Sequence, residues 1–173
     1  DVDIVSLDDA LDALKRRHDT FHEIGCRLSD HGLTACFPID ASDAQARRIF
    51  ETLRSGQAVS KEEQDALAGY MMLAFGRWDA EKGWTKQLHL GALRNTRTRL
   101  FRSLGPDIGC DSLHDGPQAL ALARYLDRLD MDGLAPKTIV YNVNPADNYV
   151  LATTLANFND GEIAGKMQFG SGW

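Results

Sequence analysis

An imidazole, a carboxylate and a run of guanidinium groups are the side chains here whose type and spacing suit chemistry. His89 follows the run Lys86-Gln87-Leu88 and stands two residues before Gly91. At the end of a strand, such an imidazole titrates near neutral pH or offers a neutral nitrogen to a metal. It belongs to no HxH, HxxH or HExxH pattern, and a strand-end His paired with a neighbour fits the same residues. Asp30 and His31 are adjacent, so on a strand they face opposite sides, whereas in a loop either one reaches a site. A carboxylate there orients an imidazole or accepts from a hydroxyl, and an Asx-type turn before Gly32 uses the same residues. Arg94, Arg97, Arg99 and Arg102 follow His89. Guanidinium forks match carboxylates, although a solvated basic loop accounts for most of the four. Arg94 is nearest the strand and is the one selected. Gly170-Ser171-Gly172-Trp173 reads as a loop that sets an indole beside the apolar face of a ligand ring.

Other patterns are missing. No GxGxxG, Walker A loop, GxSxG elbow or CxxC pair occurs, and Gly105-Pro106-Asp107-Ile108-Gly109 has the spacing of a turn only. Trp78 and Trp84 read as packing residues. His18, His22 and His114 show no partner pattern and read as surface or helix-face residues.

The elements that must carry these residues alternate. Ser6 with Asp9, Ser42 with Gln45 and Ser60 with Glu63 have capping-box spacing. The first precedes Leu7, Leu11, Leu14, His18 and Phe21 at helical spacing, and Gly25 ends that helix. Cys26 to Gly32 reads as a strand tip with a polar loop. The other two caps open the stripes Ala46, Ile49, Phe50, Leu53 and Leu67, Tyr70, Met71, Ala74, Trp78, parted by the turn Ser55-Gly56-Gln57. Residues 42–82 are therefore expected to form a helical hairpin without a strand. Lys86 to Gly91 is a strand candidate followed by a long polar loop. Gly116-Pro117 opens a helix with Leu120, Leu122, Leu126 and Leu129 on its apolar side. Lys137 to Val143 is the clearest strand, and Asn144-Pro145-Ala146-Asp147 caps a helix with Val150, Leu151, Leu155 and Phe158. Gly165 to Phe169 is the next strand. Strands alternating with helices, over connections long enough for crossovers, imply right-handed parallel βαβ units. Polar residues gather just after each strand, where α/β folds bind ligands. About four such units amount to half of a (β/α)8 barrel, whose exposed strand edges call for neighbours.

The 173 residues, 43% apolar and 25% charged, suit a soluble globular domain. A formal charge of −6 argues against a nucleic-acid surface, and no apolar run approaches the roughly 20 residues that span a bilayer. Nothing at the start resembles a signal peptide. Three cysteines, Cys26, Cys36 and Cys110, lack metal-type spacing and suggest a reduced, cytoplasmic protein. A start at Asp1 without Met and a stop at Trp173 suggest a segment cut from a longer chain.

Several stretches go further than spacing. Ser29-Asp30-His31-Gly32, Gln87-Leu88-His89-Leu90-Gly91-Ala92-Leu93-Arg94-Asn95 and Leu104-Gly105-Pro106-Asp107-Ile108-Gly109-Cys110-Asp111-Ser112 resemble signatures of the uronate isomerase family. So do Pro136 to Tyr141 continuing to Asn144-Pro145, then Asp147-Asn148, and Ala164 to Trp173. The resemblance runs in order along essentially the whole chain. It implies an α/β fold of the amidohydrolase-like superfamily: part of a (β/α)8 TIM-type barrel of about four βα units with a helical insertion. In that frame residues 1–41 carry the fourth strand, 42–83 the insertion, and 84–173 the fifth to seventh strands, all internal to the full-length enzyme. The family interconverts D-glucuronate with D-fructuronate and D-galacturonate with D-tagaturonate, by proton transfer between C2 and C1. Its divalent metal, zinc by expectation, leans on an HxH motif from the first strand and an Asp from the eighth, neither present in this sequence. The resemblance makes His89 and Asp30 catalytic candidates and Arg94 and Trp173 substrate-binding ones, with His89 also an option as a metal ligand. The main base and metal ligands would lie outside this segment. It implies a hexuronate partner, no nucleotide cofactor, no nucleic acid or membrane, and leaves a homo-oligomer open. A metal-dependent amidohydrolase-type hydrolase and a non-catalytic helical interaction segment built on residues 42–82 are the alternatives.

Overall fold

The structure is a computed structural model that describes residues 3–170. Helix α1 (Leu7–Glu23) leads into strand β1 (Leu28–Leu33), and helices α2 (Asp43–Arg54) and α3 (Lys61–Glu81) form the expected hairpin. Strands β2 (Thr85–Leu90) and β3 (Ala92–Leu93), helix α4 (Thr98–Leu104), strand β4 (Ser112–Leu113) and helix α5 (Ala119–Met131) follow. Strand β5 (Lys137–Asn142), a 3-10 turn (Pro145–Asp147), helix α6 (Asn148–Ala156) and strand β6 (Met167–Phe169) complete the described order.

The fold is α/β with a parallel sheet, in the strand order β1-β2-β5-β6. Thr85 N–H donates to Arg27 O at one end of β2 and Gly91 N–H to Leu33 O at the other. The sequence offset is the same at both ends, so β1 and β2 run in one direction. Strand β6 is parallel to β5, with Ile139 opposite Gln168 and Val140 opposite Phe169.

Three expectations need correction. The stretch around Asp30 is strand throughout Leu28–Leu33 rather than a tip with a polar loop, which removes the Asx-turn reading. The long polar loop after β2 contains α4 and the antiparallel ladder β3–β4, with Ala92 opposite Leu113. Elements this short leave little periodicity to detect. Helix α5 starts at Ala119, two residues past Pro117, and Leu120 is 63% exposed while Leu122, Leu126 and Leu129 are fully buried. Two residues on a helix turn a side chain about 200° around the axis, so Leu120 and Leu122 point to opposite sides.

The chain divides into two compact units. One takes in the described residues up to Ser29, then Phe37–Lys86 and Arg124–Lys137. Its capping boxes at Ser6 and Ser60 form in full, and Ser42 accepts from Gln45 N–H at the start of α2. Leu7, Ala46, Ile49 and Leu67 make a core against which Leu11, Phe50, Tyr70 and Met71 pack. Leu67, Tyr70 and Met71 of the α3 stripe thus pack into this unit's interior.

The same unit buries an ion pair. Lys86 on β2 is fully inaccessible, and its Nζ lies 2.7 Å from Asp79 Oδ2 on α3. Ser29 Oγ donates to the same carboxylate oxygen at 2.6 Å, and Lys86 Nζ donates to Ser29 Oγ at 3.2 Å. Burial pushes the Lys86 amine below its ordinary range, and Asp79 pulls it back. His18, expected on the surface, lies with Nε2 3.1 Å from Asp79 Oδ1 and its ring stacked on Trp84 at 4.0 Å between centroids. Trp84 is buried, as its packing role required, and its indole N–H donates to His22 Nδ1 at 2.8 Å. Both histidines sit on a helix face as read, but that face is turned inward. Desolvation, then the nearby Arg27, holds His22 below the usual imidazole range.

Two predictions follow from this cluster. Lys86→Met leaves the Asp79 carboxylate buried without its ammonium, a loss of about 3–5 kcal/mol. Its denaturant midpoint should fall accordingly, and adding Asp79→Leu should recover part of the loss; a midpoint equal to wild type would refute it. Because His22 is harder to protonate folded than unfolded, the unfolded state binds more protons as pH drops below about 6.5. Its contribution is complete above that pH and is lost below it. The fall in melting temperature between pH 7.5 and 5.5 should therefore be smaller in His22→Gln.

Candidate active site

The second unit takes in Asp30–Cys36, Gln87–Ala123 and the described residues from Thr138 on. Along β2 and β5, buried and half-buried residues alternate. Leu88, Leu90, Val140 and Asn142 fill one face of the sheet, which leaves Gln87, His89, Ile139 and Tyr141 on the half-open one.

His89 and Asp30 come together on that open face. His89 Nδ1 lies 2.6 Å from Asp30 Oδ1, with the His89 side chain 18% exposed and that of Asp30 45% exposed. A carboxylate only accepts, so in the neutral ring Nδ1 carries the proton and Nε2 is the nitrogen able to take one. The His89 ring lies parallel to Tyr141, with centroids 4.6 Å apart and 11° between planes. Gln87 Nε2 donates to the Tyr141 hydroxyl at 3.1 Å. Tyr141 and Gln87, which the sequence reading does not single out, share this face with His89. The signal was available, because Gln87 and His89 are two apart on one strand and share a face.

Beyond β2 the backbone turns sharply. Gly91, at φ +93°, donates its N–H to both Leu33 O and Thr34 O at 3.1 Å and accepts from His114 N–H at 2.9 Å. Asn144 Nδ2 donates to His114 O, and Asn142 Nδ2 to Asn148 Oδ1, each at 3.1 Å. Arg94 lines an open cavity of about 670 Å³ with Ala92, Asp111, Ser112, Leu113 and Val143. Its Nη1 donates to Asp111 Oδ2 at 2.8 Å, and the other oxygen of that carboxylate accepts from Asn95 N–H at 2.9 Å. Arg97, Arg99 and Arg102 lie on or beside α4 and are exposed. Trp173 falls outside the described residues.

The metal implied by the resemblance finds no cage here. Among the described residues no group of three or more His, Cys, Asp or Glu side chains converges on one point. His89 and Asp30 would give two donors, already bonded to each other. The described residues do not fit a metal unaided.

A sequence profile described as glucuronate isomerase matches residues 1–173. This chain belongs to that family. It is 59% identical over 170 residues to a uronate isomerase of Opitutus terrae, covering 98% of this chain and 36% of that protein. A uronate isomerase of Solibacter usitatus is 59% identical over 173 residues, covering 100% of this chain and 37% of the relative. The crystal structure of uronate isomerase from Thermotoga maritima superposes with a TM-score of 0.84 at 32% identity, over 97% of this chain and 36% of that one. That of glucuronate isomerase from Caulobacter crescentus gives 0.84 at 26% identity, over 99% and 34%. The chain thus spans about a third of the length of the curated relatives it matches. These names do not favour the hydrolase alternative.

Gly91→Ala tests the turn that follows His89. An L side chain in left-handed backbone costs about 1–2 kcal/mol, and the new Cβ would lie 3.1 Å from Asn142 Oδ1. The melting temperature should fall; an unchanged one would show that the turn tolerates a side chain.

Proposed function

We propose that the full-length protein interconverts hexuronate aldoses and ketoses, D-glucuronate with D-fructuronate and D-galacturonate with D-tagaturonate. The match of the whole chain to the glucuronate isomerase family carries this reading. The His89–Asp30 pair supplies proton chemistry that suits it. We read the sheet as an arc of a (β/α)8 barrel holding its fourth to seventh strands, with residues 1–41, 42–83 and 84–173 as barrel, insertion and barrel. The half-open face that bears Gln87, His89 and Tyr141 is then the barrel interior, and the buried face of Leu88 and Val140 meets the helices.

The reaction moves hydrogen without net oxidation of the substrate. A base removes the proton on C2, and the aldehyde oxygen gains one, which gives an enediol. A proton then adds at C1 while the C2 hydroxyl loses its own, and C2 becomes the carbonyl. Asp30 sets the tautomer of His89 by accepting from Nδ1, so Nε2 takes a hydroxyl proton and returns it. The base at C2 comes from another part of the full-length enzyme. Zinc, when bound by ligands from outside this segment, would hold charge on the carbonyl oxygen. The resemblance makes Trp173 a substrate-binding residue, and Arg94 meets the substrate carboxylate. The enzyme works in the cytoplasm on a small-molecule substrate, and no described helix is long and apolar enough to cross a membrane.

His89→Ala in the full-length enzyme should lower kcat for D-glucuronate by about 10²–10⁴-fold, followed in a coupled assay of the ketose product. Full turnover would refute the role of His89. Turnover of amides or esters in place of uronates would refute the isomerase reading.

A further inference from the structure

We infer that Tyr141 and Gly170 are positioning residues for His89, Tyr141 by setting the plane of its ring and Gly170 by leaving room for Tyr141. The inference rests on the reading of His89 given above and extends it to two residues with no proton chemistry of their own in the reaction.

Asp30 Oδ1 meets His89 at Nδ1, on the edge of the ring. Tyr141 lies parallel to the face of that ring, with centroids 4.6 Å apart and 11° between planes, so it packs on the ring's plane where Asp30 reaches only its edge. Tyr141 is itself held at its far end, where Gln87 donates to its hydroxyl. Its flank is set by Gly170, just past β6, whose N–H donates to Val140 O at 2.8 Å. A Cβ built on Gly170 would lie 2.5 Å from both Cδ1 and Cε1 of Tyr141 and 3.2 Å from Cγ. Those are ring atoms of a side chain already stacked and bonded, so they have no cheap way to retreat. Gly170 does not have left-handed φ, so what it contributes is space rather than backbone freedom. Asp30, His89, Tyr141 and Gly170 thus come one from each of β1, β2 and β5 and from the end of β6, which are neighbours in the sheet.

The test uses the full-length enzyme with its histidines labelled at Cε1, the His89 signal being identified by its loss in His89→Asn. A proton over an aromatic face resonates upfield. Tyr141→Phe keeps the face and should keep the signal, with kcat within about threefold of wild type. Tyr141→Leu should release the signal downfield and lower kcat by about 10–100-fold, the scale of a misplacement near 1 Å, with KM changed less than about twofold. Gly170→Ala removes no functional group, yet should move the same signal and lower kcat in the same way; it decides the matter if Tyr141→Leu does not fold by circular dichroism. A His89 signal unmoved in both Tyr141→Leu and Gly170→Ala overturns the inference, as does a fall in kcat without such movement. Full turnover by His89→Asn instead overturns the underlying role of His89, whatever the signal does in the other variants.

Discussion

Strands in a parallel sheet advance in step, so a residue's level along its own strand decides which side chains it meets on its neighbours. Gly91 N–H bonded to Leu33 O and Gly170 N–H bonded to Val140 O hold that step beside the candidate site. A slip of one residue would turn His89 to the face now filled by Leu88 and Leu90 and bring those leucines into the open. The apolar face therefore fixes the side of the sheet on which His89 stands, and the bond from Gly91 N–H to Leu33 O sets β1 beside β2 so that Asp30 meets it. Residues with no reactive group decide where the reactive ones stand.

The ion pair of the first unit follows a different logic. Charges taken out of water lose hydration that their mutual attraction recovers only with good geometry and further hydrogen bonds. Asp79 has these, accepting from Ser29 and Lys86 on one oxygen and lying beside His18 at the other. An apolar set of similar volume would hold the same elements with less desolvation. What the polar set adds is discrimination, since only an arrangement that brings α1, α3, β1 and β2 together satisfies all four groups. An alternative packing that buried the same surface would strand a charge.

Much of the fold was legible because its signals are local. Capping spacing at Ser6 and Ser60 and the β-branched run from Lys137 to Val143 each sit within a few residues of what they specify. His89 stood out because a polar residue in an apolar strand is conspicuous. Lys86, three residues earlier, did not, since a lysine at a strand start reads as solvated, and its partner Asp79 sits at the far end of a helix. His18 and Trp84 were separable in type but not joinable in space, because nothing local says that residues so far apart will stack. The pairing of Asp30 with His89 was conceivable on chemistry alone, but the strand order that achieves it depends on crossovers whose partners sequence spacing leaves unspecified. Arg97, Arg99 and Arg102 show the reverse: a cluster prominent in sequence that the fold leaves exposed on or beside α4.

Arg94 shows how a fold can commit a residue that chemistry would assign elsewhere. A guanidinium fork suits a carboxylate, and Arg94 already holds one within the chain, that of Asp111. The same Asp111 accepts from Asn95 N–H, where the backbone sits at φ +56°. Left-handed backbone at a non-glycine residue persists only where its surroundings hold it. Asp111 therefore serves the loop and the arginine at once, and an incoming carboxylate competes with a bond that also supports the turn. With its side chain 45% exposed, Arg94 is held by Asp111 without being buried by it.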